Sequence, residues 1–210
     1  MKNSFNILPL EEWFEPFSSK PLIIAGPCSA ESESQILSTA QQISENKMVS
    51  VFRSGLWKPR TRPETFEGVG EKGLAWLQKV KEETGLLTAT EVATPKHIDI
   101  CLKYGIDILW IGARTCSNPF SVQELANAAK GTGLAFLIKN PINPDIELWQ
   151  GAIERFANNG IRKIGAIHRG FYPFEKTPFR NIPKWELLIE LKRKLPNLPI
   201  LNDPSHISGT

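Results

Sequence analysis

The stretch PLIIAGPCSAES, Pro21 to Ser32, decides how this chain is read. Leu22, Ile23, Ile24 and Ala25 form a short apolar run of the kind that fills a strand buried on both faces. The Gly26-Pro27 pair then breaks it. Cys28 follows at once, so a thiol stands at the C-terminal end of the first strong strand. Such a thiol is a small core filler, a metal ligand or a nucleophile. The runs downstream bear on which.

The same pattern recurs along the chain. Apolar runs occupy 21–25, 49–52, 86–90, 107–112, 135–139, 163–167 and 198–202. Each is bounded by Gly, Pro or polar residues and predicts a buried parallel strand. Between them, apolar residues at helical spacing predict helices over 32–45, 71–83, 95–104, 121–130, 144–158 and 183–195. Strand and helix alternate about every 30 residues, the signature of βα units. No GxGxxG follows the first strand, which disfavours a dinucleotide-binding doubly wound sheet. Cys28, Arg53, Lys58, Glu91, Arg114, Lys139, Arg169, Asp203 and His206 all fall at or just after strand C-termini. A TIM (β/α)8 barrel builds its active site on that rim, so the fold class is an α/β barrel of this type. The loops 54–70 and 172–183 are expected to lie over the site.

The bulk composition agrees. The chain has 210 residues, enough for one domain with a sizeable core, and its formal charge is only +3. No Lys/Arg block stands out, so nucleic acid is not an expected partner. No segment approaches the length of a membrane span, and the N-terminus does not read as a signal peptide. Three cysteines, Cys28, Cys101 and Cys116, are too few for a disulfide framework and fit a reducing, cytoplasmic setting.

Six cations, Arg53, Lys58, Arg60, Arg114, Lys139 and Arg169, would repel one another around an empty barrel mouth. Such a cluster calls for phosphate or carboxylate ligands. Cys28 and His206 lie on the first and seventh strand ends, which are close neighbours in a closed eight-stranded barrel. Together they suit a divalent metal ion such as Mn, Fe, Co or Zn. They also fit a core cysteine and a hydrogen-bonded histidine, and the residues alone leave both readings open. Glu91 orients a cation or a water, or neutralises Lys58. Asp203 in NDPSH orients a ligand or opens a turn. His168 reads as a packing residue ahead of a rim proton carrier, His97 as a surface residue, and Trp57 as a core or loop anchor or a wall beside Lys58. Cys101 and Cys116 read as structural.

The segments AGPCSAES, FRSGLWKPRTRPETFEG, IGARTCSN, LIKNP, AIHRGF and LNDPSH resemble the type I 3-deoxy-D-arabino-heptulosonate 7-phosphate (DAHP) synthases. The likeness is to the short branch that includes 3-deoxy-D-manno-octulosonate 8-phosphate synthase, and GIDILWIGART and NPDIELWQGAIERF are similar to forms fused to a C-terminal chorismate mutase. The resemblance implies condensation of phosphoenolpyruvate with erythrose 4-phosphate and water, releasing phosphate, in the shikimate pathway to the aromatic amino acids. It implies that Arg53, Lys58, Arg114, Lys139 and Arg169 hold phosphoenolpyruvate, with a backbone contact from Ala113. Arg60 and Thr61 of KPRT would hold the sugar phosphate, and KPRT favours the four-carbon aldehyde over arabinose 5-phosphate. Cys28 and His206 would be metal ligands, Asp203 would orient the aldehyde, and Lys58 would donate a proton. A homo-oligomer is expected.

The family pattern has two further metal ligands, a Glu on the eighth strand and an Asp after it, and neither follows LNDPSH before Thr210. The expectation is therefore one incomplete barrel domain over 1–210, lacking an eighth βα unit of roughly 40 residues. Weak metal binding and little synthase turnover are expected of it. A phosphate-ligand binder without catalysis is the competing expectation.

Overall fold

The computed structural model describes residues 5–18, 21–60, 62 and 64–208. Seven strands form one parallel sheet in sequential order: β1 (Ile23–Ala25), β2 (Val49–Arg53), β3 (Leu87–Val92), β4 (Ile108–Ile111), β5 (Ala135–Lys139), β6 (Ile164–His168) and β7 (Ile200–Asn202). The helices are α1 (Glu33–Ser44), α2 (Lys72–Thr84), α3 (Pro95–Lys103), α4 (Ala113–Cys116), α5 (Pro119–Ala129), α6 (Ile146–Asn158), α7 (Trp185–Lys194) and α8 (Pro204–Ser208). All seven expected strands and all six expected helices are present.

Side-chain alternation sorts each strand into two faces. Phe52, Leu109, Ile111, Phe136, Ile138, Ile164 and Ala166 point outward into the layer of helices. Val51, Ala89, Ile108, Trp110, Ala135 and Leu137 point inward and form a second cluster, against which Ile24, Ile167 and Leu201 pack. Residues from β1 and β7 thus meet in one inner core, which a flat sheet would keep far apart. The sheet curls into a (β/α) barrel. Among the described residues it stays open, because β1 pairs only with β2 and β7 only with β6.

The element boundaries differ from expectation for local reasons. Asn118 caps α5 by accepting from the Phe120 and Ser121 N–H groups, so the helix starts at Pro119 rather than 121. Asp145 likewise caps α6 through the Leu148 N–H at 2.9 Å, so Pro144 stays outside. β2, β3 and β6 run past their apolar stretches, since the backbone ladder continues under Arg53, Glu91 and His168. The short helices α4 and α8 have too few residues to leave a periodic signal.

The largest difference is at the N-terminus. Residues 10–12 and 15–18 form two 3₁₀ turns that place Trp13 and Phe17, 3% and 1% exposed, in the inner core. The Leu8 N–H donates to Arg162 O, just ahead of β6, so the segment plugs the N-terminal end of the barrel. Gly165 makes room for it, since a Cβ there would lie 3.2 Å from the Trp13 indole.

Candidate functional site

The opposite end of the barrel is open. A cleft of about 350 Å³ there is lined by Cys28, Lys58, Arg60, Glu91, Ala113, Arg114, Lys139, Arg169, Arg180 and His206. A second cavity of about 410 Å³ continues into the barrel past Arg53, Trp110, Lys139 and Asp203. Cys28, Lys139 and His206 line both. The alternation that points Val51, Ala89 and Leu137 inward also points Arg53, Glu91 and Lys139 inward, two residues further on.

The β1 and β2 ends are fixed by close backbone approach. Gly26 has φ of +145°, and a Cβ on it would come 2.1 Å from Arg53 O. Only glycine fits such a position. Arg53 Nη1 in turn donates to Pro27 O at 3.0 Å, and its guanidinium stacks on the Trp110 ring at 4.6 Å. The Lys58 ammonium folds back over Gly55 to donate to Cys28 O, and lies 3.3 Å from Cys28 Sγ. Burial works to raise the pKa of this thiol, but the Lys58 and Arg53 charges outweigh it. Cys28 ends below the ordinary thiol value. Cys101 and Cys116 lack such neighbours, and burial pushes both up to about 12. They are structural, as expected.

Deeper in, Lys139 is buried and pairs with Asp203 at 3.2 Å. Burial lowers the lysine's pKa, and Asp203 offsets part of that. Asp203 is itself pushed up by burial, but contacts from His206, Lys139 and Ser205 win and hold it far below the usual carboxylate range. Its Oδ1 accepts from the Ser205 hydroxyl at 2.9 Å and from the His206 N–H at 3.3 Å, so it opens the turn into α8, while Oδ2 faces Lys139 in the cleft. His206 Nδ1 lies 2.8 Å from Asp203 Oδ2, close enough for an ion pair but without hydrogen-bond geometry. Asp203 favours the charged imidazole, yet burial and the Lys139 and Arg169 charges lower its pKa overall. Glu91 accepts from Trp110 Nε1 at 2.8 Å, and its charge acts on Lys139. Gly112 leaves it room, since a Cβ there would meet Glu91 Oε1 at 2.3 Å.

Arg169 hangs from Asn140, which is fully buried. Asn140 Oδ1 accepts from the Arg169 N–H at 2.8 Å, while Nδ2 donates to Gly170 O and Pro141 O. Burial lowers the Arg169 pKa to about 10, with Arg180 and Arg114 adding to it. The group stays charged at neutral pH. Arg60 donates from Nε to Phe66 O at 2.9 Å. Thr61 lies outside the described residues. Ala113 opens α4 directly after Gly112.

His168 keeps its expected setting, whereas His97 departs from its own and Trp57 from the wall reading. His168 points outward from β6, fully buried, between Asn202 Oδ1 at 3.2 Å and Pro183 O at 2.5 Å. It is a packing residue. His97 is half-buried rather than a plain surface residue, because it stacks on Trp57 at 4.0 Å. That stacking turns Trp57 away from the cleft, so it does not wall the site. Arg180 lines the cleft, Asn140 holds the Arg169 backbone and Trp110 lies against Arg53, and none of the three stands out in the sequence as a site residue. Arg180 sits in the Pro-rich loop expected to cover the mouth, so the loop is legible in the sequence and the cation on it is not.

Cys28 and His206 fit a soft transition metal in kind: a thiol of lowered pKa, and an imidazole whose pKa is lowered and whose Nδ1 lies against a carboxylate, leaving Nε2 as the donor. They fit less well in number, because no group of three or more His, Cys, Asp or Glu forms a metal site among the described residues. Among those residues, no helix is long and apolar enough to cross a membrane.

Comparison with known proteins gives one consistent result. The model of the DAHP synthetase I family matches residues 17–210. The phospho-2-dehydro-3-deoxyheptonate aldolase of Thermotoga maritima is 36% identical over 187 residues, 89% of this chain and 53% of the relative. A crystal structure of that aldolase superposes with a TM-score of 0.76 at 35% identity, covering 90% of this chain and 52% of the other. The 2-dehydro-3-deoxyphosphooctonate aldolase of Nitratidesulfovibrio vulgaris is 28% identical over 161 residues, 73% of this chain and 56% of that protein. This chain thus spans about half the length of the relatives it matches.

Proposed function

This chain belongs to the DAHP synthetase I family, and from that premise we propose that it carries the substrate-binding mouth of a DAHP synthase. The reaction joins phosphoenolpyruvate, erythrose 4-phosphate and water to give DAHP and phosphate. One observation carries the reading: six expected cations at strand C-termini line two connected cavities, with Cys28 and His206 on the shared wall. So dense a positive cleft suits substrates that bring two phosphates and a carboxylate.

In this reading Arg53, Lys139 and Arg169, the more buried cations, grip phosphoenolpyruvate, and Lys58 and Arg114 complete its shell with the Ala113 N–H. Arg60 and Thr61 take the sugar phosphate. Asp203, anionic and anchored by Lys139, orients the aldehyde. C3 of the enol attacks the aldehyde carbon, and Lys58 gives its proton to the aldehyde oxygen. Water adds at the resulting cationic C2, and the C–O bond to phosphate breaks. Holding both anions in reacting geometry supplies much of the acceleration. Cys28 and His206 would hold a divalent ion, Mn, Fe, Co or Zn, which supplies Lewis-acid polarisation of the carbonyl. The reading includes a single barrel domain over 1–210 and a cytoplasmic setting, which three free thiols support. It also includes a homo-oligomer, which the exposed Phe120 and Phe174 rings support.

Phosphate release measured with each aldehyde tests this reading. The little turnover expected of this chain should be seen with erythrose 4-phosphate and not with arabinose 5-phosphate. The reverse preference would assign the eight-carbon product, and phosphoenolpyruvate binding without product from either aldehyde would favour a non-catalytic binder. Lys58→Met is expected to lower kcat by about a hundredfold or more, the usual worth of a placed proton donor. A severalfold loss with a raised KM would remove Lys58 from that role.

A further inference from the structure

The loop between β6 and α7 carries a cation that no motif singles out. Its two ends are closed by the Phe171–Ile182 bridge, with each N–H donating to the other's carbonyl at 2.8 Å. Its returning limb is tied to α8. The Arg180 N–H donates to Ile207 O at 3.0 Å, the Asn181 N–H to the same oxygen at 3.3 Å, and Asn181 Nδ2 to His206 O at 2.6 Å. Asn181 is 5% exposed, and a Cβ on Gly170 would lie 2.6 Å from Asn181 O, so this backbone has little freedom. The Arg180 side chain is the opposite. It is exposed, lines the cleft, and makes no hydrogen bond or ion pair among the described residues. A fixed backbone thus presents to the cleft a guanidinium whose donors are available for an anion.

We propose that Arg180 is a second clamp on the phosphate of the sugar aldehyde, acting with Arg60 from the opposite side of the mouth. This rests on the synthase reading given above. The sheet order supports the placement, since Arg60 follows β2 and Arg180 follows β6, four strands away in a curled sheet. Depth supports the choice of ligand. Lys139 is buried and Arg53 and Arg169 are partly buried, so they suit the inner substrate, whereas Arg60 and Arg180 are both exposed at the rim. The aldehyde carbon must reach the Cys28, Lys58 and His206 end of the cleft, which leaves its phosphate pointing outward. The bonds from residues 180 and 181 to α8 also fix the distance from Arg180 to His206. Arg180 thereby measures the length of the aldehyde, favouring one chain length over a longer one.

Calorimetric titration of the full chain, of Arg180→Met and of Arg180→Lys tests this, using phosphoenolpyruvate, erythrose 4-phosphate and arabinose 5-phosphate separately. Arg180→Met is expected to weaken erythrose 4-phosphate by about tenfold to a hundredfold, as loss of charge-assisted hydrogen bonds does. Phosphoenolpyruvate affinity should fall clearly less than that, since Arg180 reaches it only as a charge alongside Arg169. Arg180→Lys should recover part of the loss and narrow the preference between the two sugars. Equal weakening of both substrates, or no change in either, would overturn the clamp while leaving the synthase reading standing. Failure of the unaltered chain to bind phosphoenolpyruvate would overturn both. The side chain is exposed and unbonded, so the melting temperatures of all three proteins should agree.

Discussion

Lys58 and Cys28 meet at one end of the cleft, and the consequence is measurable without any substrate. The thiol is driven up by burial and down more strongly by Lys58 and Arg53. A lowered pKa means that thiolate appears at lower pH than for a free cysteine. The rate of Cys28 alkylation by iodoacetamide should therefore rise through a midpoint below the ordinary thiol value, while Cys101 and Cys116, at about 12 and buried, stay silent. Lys58→Met removes the largest lowering influence, so its midpoint should move upward. An unchanged midpoint would mean that Lys58 does not set the state of the thiol. At this scale the site was legible wherever a charged residue directly ended an apolar run, as at Arg53 and Lys139. It was illegible where the residue works through packing. Trp110 reads as one more core aromatic, yet its ring carries both Arg53 and Lys139, at 4.6 Å and 5.8 Å from its centre.

Between elements, Asn140 joins the end of β5 to the turn after β6. One buried amide satisfies the Pro141 carbonyl and the Arg169 N–H and shares the Gly170 carbonyl with Arg169 Nη1, and through them it aims Arg169. Asn140→Ala removes the Asn140 bonds to the Pro141 carbonyl and the Arg169 N–H, at about 1–3 kcal/mol for each that water cannot reach. The urea midpoint should fall accordingly, with phosphoenolpyruvate affinity falling alongside it. A stability loss with unaltered affinity would show that Arg169 is aimed by its strand alone. Nothing in LIKNP distinguishes such an asparagine from a turn former, because the Arg169 and Gly170 partners lie 29 and 30 residues away. Strands and helices, by contrast, announce themselves locally. Two-sided burial makes each strand an unbroken apolar run, and one-sided burial gives each helix its period. Only α4, α8 and the N-terminal 3₁₀ turns escape, being shorter than the period that would reveal them.

For the molecule as a whole, the barrel is closed at one end and open at the other, and both states come from residues outside the βα repeat. Residues 8–17 have no helical or strand period, since their apolar side chains are spaced to reach into a floor already built by the strands. Trp13 and Phe17 fill the inner core below Trp110, and the Trp13 Nε1 proton goes to Leu8 O at 3.1 Å. This plug belongs to the same inner cluster as Trp110, the ring that carries Arg53 and Lys139. Trp13→Ala empties part of that cluster and is expected to cost about 3–5 kcal/mol, the range for deleting a buried aromatic. Because the lost contacts lie at the N-terminal end, phosphoenolpyruvate binding at saturating stability should change little, while the urea midpoint drops sharply. Filling the space again with Trp13→Phe should return most of the stability, as a partly volume-conserving exchange does. If Trp13→Ala instead weakened phosphoenolpyruvate binding as strongly as it lowered the midpoint, the floor and the mouth would be one mechanical unit. Trp110 would then be the side chain through which they couple.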